Sequence, residues 1–322
     1  MQMIQRVITA LWAIPLVLIF ACFDIPGLDV PLLIFLIGLI AALGSIEFYR
    51  LATQAGGQPL TILGTVWALA FVVAAHFDDL YVNSALLASS AVLPLVWLAW
   101  FRRESPEGKD EEKRARLPLI RRLGFRREAT GGTDEDRHVQ LPPGRLSAFR
   151  RERVVVSWGW TVAGILYMGW LLGHYVTLRE LDHGRELVLL VLFSTFACDT
   201  AAFFAGRTWG RHLMAPVISP KKTWEGAVAG FAAAIAAALV LRSLLNLGDW
   251  ELPLSNVQTI ALGCLIGLFA QLGDLLESLL KRRAGAKDSG RLMPGHGGIL
   301  DRIDSLVFTG AIVYYYVIWV VD

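Results

Sequence analysis

Charge is scarce in this 322-residue sequence: Lys, Arg, Asp and Glu make up 18% of it, while 55% is apolar and the mean hydropathy is +0.52. Soluble domains carry about a quarter charged residues, so this balance excludes an ordinary soluble protein and places the chain in a bilayer. Cysteine is scarcer still. Cys22, Cys198 and Cys264 stand alone in apolar stretches, which excludes a disulfide framework, a cysteine zinc site and thiol redox chemistry. Also missing are a G-x-x-x-x-G-K-[ST] phosphate loop, an H-E-x-x-H zinc helix and a G-x-S-x-G nucleophile elbow. A net charge of +2 gives no overall basic field, and no nucleic-acid partner is expected.

What is present is a series of nine apolar runs, over 7–23, 30–46, 60–75, 85–101, 154–172, 187–206, 227–245, 257–276 and 303–321. Each approaches the ~20 helical residues that cross ~30 Å of hydrocarbon. The first run follows only Arg6 and shows no small-residue cleavage site, so it is expected to be a retained span rather than a cleaved signal peptide. The fold class expected is all-α: a polytopic membrane protein of about nine transmembrane helices. Basic residues favour the cytoplasmic side. They fall in alternate loops, at Arg6, Arg50, 102–153, Arg207 to Lys222 and Lys281 to Arg291, while Asp24 and Asp29, Asp78 and Asp79, a stretch of mixed charge over 174–186, and Asp249 and Glu251 occupy the others. The N-terminus is therefore expected in the cytoplasm.

Three regions follow: spans 1–4 in 1–101, a basic cytoplasmic loop over 102–153, and spans 5–9 in 154–322. The loop holds about half of the 30 lysines and arginines. Its segment 113–127 reads either as a short helix resting on anionic lipid or as part of a flexible linker.

A carboxylate in the hydrocarbon core costs ~2.5–3.5 kcal/mol on insertion scales, so spans that carry one call for an explanation. Asp199 and Asp274 lie late in spans running inward, and Asp301 and Asp304 begin the last span, so all four sit near the cytoplasmic interface. Hard oxygen ligands of this kind suit Mg²⁺, which offsets their repulsion. The bland alternative pairs each aspartate with a nearby base, Asp301 with Lys281 or Arg302 for example. At the same level "ISPKKTWEG" (218–226) and "SLLKRRAGAKDSGRLMPGHGG" (278–298) supply Lys221, Lys222, Lys281, Arg282, Lys287, Arg291 and His296. Ser219 and Thr223 are candidate caps for the helix after them. The glycines at 295, 297 and 298 let backbone amides approach an anion. Metal, cations and amides together point to a polyphosphate substrate.

The spacing Ser278-x-Leu280-Lys281-Arg282-x4-Lys287-Asp288-x-Gly290-x2-Met293-Pro294-x-His296-Gly297-Gly298-Ile299-x-Asp301-Arg302-Ile303-Asp304 resembles the signature of the phosphatidate cytidylyltransferases, or CDP-diacylglycerol synthases. "CDTAAFFAGRTWGRH" (198–212), "ISPKKTWEG", "QLGD" (271–274) and, more weakly, "QRVITALWAIPL" add to the likeness, which covers about 190–310 well and the first spans loosely. The resemblance implies transfer of CMP from CTP to phosphatidic acid, giving CDP-diacylglycerol and pyrophosphate for phospholipid biosynthesis. Residues and resemblance together give Lys281, Asp301 and His296 as catalytic candidates. Metal ligands are expected in Asp274, Asp301, Asp304 and, more weakly, Asp199. Substrate contacts are expected from Ser219, Lys221, Lys222, Thr223, Arg282, Lys287, Gly297 and Gly298. Mg²⁺ is the expected cofactor, with a monovalent cation as a candidate second ion and a homodimer as what the family suggests. A bacterial inner membrane, with the site facing the cytoplasm, is the expected location. Two rivals stay open: a CTP-dependent lipid-alcohol kinase and an ion-coupled transporter.

Overall fold

The computed structural model describes residues 15–25, 30–77, 79–101, 143–248, 250–290 and 297–321. After a helical stretch over 15–22, the short strands β1 (Asp24–Ile25) and β2 (Val30–Pro31) pair antiparallel. Helices α1 (Leu33–Gln54), α2 (Thr61–Phe77) and α3 (Leu80–Phe101) follow. Helix α4 (Pro143–Ile165) passes through a π turn, Leu166–Trp170, into α5 (Leu171–Glu180). Then come α6 (Gly184–Thr208), a second hairpin of β3 (Leu213–Ala215) and β4 (Ser219–Thr223), α7 (Trp224–Leu245) and α8 (Asn256–Arg283). The short α9 (Leu300–Ile303) and α10 (Leu306–Tyr316), extended by a π turn over Val317–Val321, complete the described chain.

Among the described residues, six helical stretches are long and apolar enough to cross a membrane: Leu33–Gln54, Leu80–Ala99, Glu152–Glu180, Gly184–Thr208, Trp224–Leu245 and Asn256–Arg283. Thr61–Phe77 and Leu306–Val321 are shorter apolar helices. Of the nine expected runs, the first is described only from residue 15. The two hairpins qualify the all-α expectation: in the second, Pro220 cannot continue a helix and is tolerated in a short edge strand. The expected loop 102–153 also ends early, because α4 begins at Pro143, a residue well suited to a first helical position. Segment 113–127 lies outside the described residues. The fifth run extends past its expected end at 172 to Glu180.

Packing rests on small residues, as expected where lipid supplies no hydrophobic drive between helices. Gly226, Gly230, Ala234 and Ala238, four apart, form the buried stripe of α7. A Cβ at Gly226 would stand 2.7 Å from the Ala202 carbonyl oxygen, and one at Gly230 would stand 2.8 Å from that of Cys198, so α6 and α7 lie almost backbone to backbone. Helix α8 packs on α7 at Gly263 and Gly267, touches α6 where the Cys198 thiol donates to the Gly267 carbonyl, and reaches α10. In the N-terminal half the fully buried Tyr49 ring fits against Gly64 and Gly164, and its hydroxyl donates to the Thr161 carbonyl at 2.9 Å, locking α1, α2 and α4 together.

Candidate active site

The ends of α6 and α8, the start of α7 and the turn into α10 meet around two groups of polar side chains. The first centres on Ser305. Its hydroxyl donates to Asp199 Oδ1 at 3.1 Å, and its backbone N–H donates to Asp304 Oδ1 at 2.8 Å. Asp274, one helix away, acts electrostatically on both Asp199 and Asp304. Its Oδ2 forms an ion pair with Lys222 Nζ at 2.7 Å. Thus α6, α8 and the lead into α10 each contribute one carboxylate, and β4 contributes one cation. Asp199 is exposed, whereas Asp274, Asp304 and Lys222 are half-buried.

The second group centres on Lys281. Its ammonium lies 2.6 Å from Asp301 Oδ1 and also contacts the fully buried Glu277 carboxylate one turn earlier on α8. The other oxygen of Asp301 accepts from the Gly298 N–H at 2.9 Å, the Ser289 N–H at 2.9 Å and the Ser289 hydroxyl at 2.8 Å. Burial alone would raise the Asp301 carboxyl. The Lys281 hydrogen bond and the two amides outweigh burial and hold it down to about 2.

Behind Ser289 stands Glu47 of α1, whose Oε2 lies 3.1 Å from the Ser289 hydroxyl, sharing its single proton with Asp301, and accepts from the Leu300 N–H at 2.9 Å. Glu47 is 4% exposed. The tightness of this clamp explains two of the signature glycines. A Cβ at Gly290 or Gly298 would run into the Glu47 carboxylate, and Gly297, at φ +83°, makes the turn that brings the Gly298 amide onto Asp301.

The geometry gives the expected residues different partners. Asp301 meets Lys281, Ser289 and Gly298, whereas Asp199 and Asp304 meet Ser305. Among the described residues no three His, Cys, Asp or Glu side chains form a ready-made metal cage. The Gly298 amide, expected on a substrate phosphate, is taken by Asp301. Pairing with bases accounts for part of the charge, since Lys281 does meet Asp301 and Lys222 does meet Asp274. Thr223 caps α7 as expected, accepting from the Gly226 N–H at 3.2 Å, while Ser219 lies at the start of β4 opposite Ala215 and caps nothing. Lys221, Arg282 and Lys287 are exposed, and Arg282 Nε donates to the Ile218 carbonyl at 3.0 Å, fastening the β4 loop to the end of α8. His296 and Arg291 lie outside the described residues.

The donor set around Ser305 fits a small hard cation. Its three carboxylates come from separate elements, are all oxygen donors, repel one another, and have one lysine among them. Mg²⁺ takes one or two carboxylates and completes its shell with water and substrate phosphate, so a ready-made cage is not required. Glu47 and Ser289 escaped the sequence reading. Glu47 sits three residues before Arg50 and reads there as an ordinary end-of-span charge.

The model of the cytidylyltransferase family matches residues 4–320. Over 169 residues, 51% of this chain and 60% of the other, the sequence is 41% identical to the phosphatidate cytidylyltransferase of Brucella suis biovar 1 (strain 1330). It is 37% identical over 158 residues, 49% of this chain and 57% of the other, to the phosphatidate cytidylyltransferase of Bacillus subtilis (strain 168). It is 48% identical over 134 residues, 42% of this chain and 32% of the other, to the chloroplastic phosphatidate cytidylyltransferase 5 of Arabidopsis thaliana. The chain thus spans little more than half the length of the bacterial relatives it matches.

Proposed function

Because the chain belongs to the cytidylyltransferase family, we propose that it transfers the cytidylyl group of CTP to phosphatidic acid, giving CDP-diacylglycerol and pyrophosphate. The observation that carries this reading is the family match across 4–320, joined to relatives that bear the name phosphatidate cytidylyltransferase. In the reaction a phosphatidate oxygen attacks the α-phosphorus of CTP in line. The new P–O bond forms as the bond to the β-phosphate bridging oxygen breaks, and that oxygen leaves with pyrophosphate. The attacking oxygen is already ionised near neutral pH, so no side chain has to remove a proton from it. Rate then comes from positioning and from charge placed against the transferring phosphoryl group.

Each part of the site has work in that scheme. Asp199, Asp274 and Asp304 would hold Mg²⁺, which neutralises charge on the nucleotide phosphates. Lys222, paired with Asp274, and the exposed Lys221, Arg282 and Lys287 draw the triphosphate and the lipid phosphate together. Asp301 and Glu277 fix Lys281, so its ammonium is held at one place. Glu47 ties Ser289 and Leu300 to α1 beside Asp301. The protein would lie in the bacterial inner membrane with its N-terminus and site on the cytoplasmic side, where CTP arrives and the lipid headgroup lies.

The test is incubation of purified protein with CTP, phosphatidic acid and Mg²⁺. Pyrophosphate should appear one for one with CDP-lipid. Release of CDP with a phosphorylated lipid alcohol would make the chain a kinase, and ion flux without CTP turnover would make it a transporter.

A further inference from the structure

Tyr167 lies in the π turn Leu166–Trp170, is 5% exposed, and is packed against Phe48 and Phe308 with ring centroids 5.8 Å away in each case. Its hydroxyl has no hydrogen-bond partner among the described residues. Two other buried tyrosines differ: Tyr49 donates to the Thr161 carbonyl at 2.9 Å and Tyr175 to the Leu306 carbonyl at 3.0 Å. Phe308, on which the ring packs, comes one turn after Asp304, and both Phe308 and the Asp304 backbone lie against Gly273, the residue before Asp274. Tyr167 is therefore packed under the segment that carries Asp304 and next to the helix that carries Asp274, with its hydroxyl proton unclaimed.

Two costs coincide at this residue. A buried O–H without an acceptor is expensive, and native proteins leave few such groups without a reason. A π turn is also a rarer helical geometry, found mostly as a single turn inside α-helices and often at functional sites. Each nearby carboxylate is held by its own neighbour, Asp304 by the Ser305 N–H, Glu277 by Lys281 and Asp274 by Lys222, and none of their oxygens lies within hydrogen-bond distance of the phenol. An ammonium or guanidinium ligand would satisfy the carboxylates but offers no acceptor to a phenol. The missing partner has to bring an oxygen lone pair. A neutral phenol can donate to an anion without adding charge to the site.

We propose that the Tyr167 hydroxyl is a substrate-binding group that donates a hydrogen bond to a phosphoryl oxygen bound beside Asp274 and Asp304. The inference rests on the cytidylyl-transfer reading for the identity of the phosphate, which belongs either to the nucleotide or to the lipid.

The test is Tyr167→Phe, which removes one oxygen and keeps the ring. kcat and KM are measured with CTP and phosphatidic acid varied in turn, and the thermal midpoint is measured in detergent without ligand. A hydrogen bond to a charged acceptor predicts a loss of about 10- to 100-fold in kcat/KM. A rise in KM for CTP alone assigns the oxygen to the nucleotide, and a rise for phosphatidic acid alone assigns it to the lipid. The ligand-free midpoint should stay the same, because no protein hydrogen bond is lost. Unchanged kcat/KM for both substrates overturns the proposal. So does a midpoint that falls together with activity, since the hydroxyl would then be bonded within the protein. If the parent chain turns over no CTP, the cytidylyl-transfer reading fails by itself. Tyr167 is then judged by the midpoint shift that CTP with Mg²⁺ produces, and equal shifts in the parent and Tyr167→Phe overturn the assignment.

Discussion

Replacing Lys281 with methionine separates two roles that the sequence would merge. As a phosphate ligand alone, Lys281 could be lost at the expense of activity and nothing else. In the structure it is also the cation for Glu277, which is fully buried, and for Asp301 Oδ1 at 2.6 Å. Asp301 keeps three other donors, from Gly298 and Ser289, so its loss is partial. Glu277 keeps no cation, and stranding a buried charge in this way costs about 3–5 kcal/mol. Lys281→Met should therefore lower the thermal midpoint in detergent as well as abolish turnover. Adding Glu277→Leu should return most of the stability, because an apolar pair replacing a buried ion pair is close to neutral. Activity should stay lost in the double variant. The reasoning is refuted if Lys281→Met is as stable as the parent, or if the second substitution recovers nothing.

Glu47→Gln keeps the shape of the clamp but removes its charge, weakening the bonds from Ser289 and Leu300 by about 1–2 kcal/mol in total. Faster hydrogen exchange over residues 297–303 and a several-fold lower kcat are expected. Unchanged exchange in that segment would detach Glu47 from the site. Asp274→Asn should reduce turnover by at least 100-fold, leave the thermal midpoint near that of the parent, and remove the midpoint increase that Mg²⁺ with CTP gives the parent. Near-normal turnover would remove Asp274 from the cation site.

Hydropathy made the helices legible because a bilayer tolerates little besides apolar helix, and runs such as 187–206 and 227–245 fall within α6 and α7. Their ends were less legible. The segment Leu171–Glu180 carries His174, Thr177 and Arg179, which dilute the apolar signal although the backbone stays helical. The hairpin carrying Lys221 and Lys222 was missed because its pairing joins β4 to β3 around a bulge, a contact no local pattern records. At the site, residue types were legible but partners were not. Asp301 and Asp304, three apart on one expected helical face, have different partners because Asp301 accepts from Gly298 and Ser289 before it, while Asp304 accepts from the Ser305 N–H after it. Glu47 and Tyr167 join the site only through packing of the N-terminal helices, at separations of more than a hundred residues from the signature, where sequence spacing carries no information.

The central claim is that the α-phosphoryl group of CTP goes to the lipid. It is tested most directly by giving purified protein, phosphatidic acid and Mg²⁺ either α-³²P- or γ-³²P-labelled CTP and following the label. The account predicts radioactive lipid from the α label alone and radioactive pyrophosphate from the γ label. Lipid labelled from the γ position would contradict it.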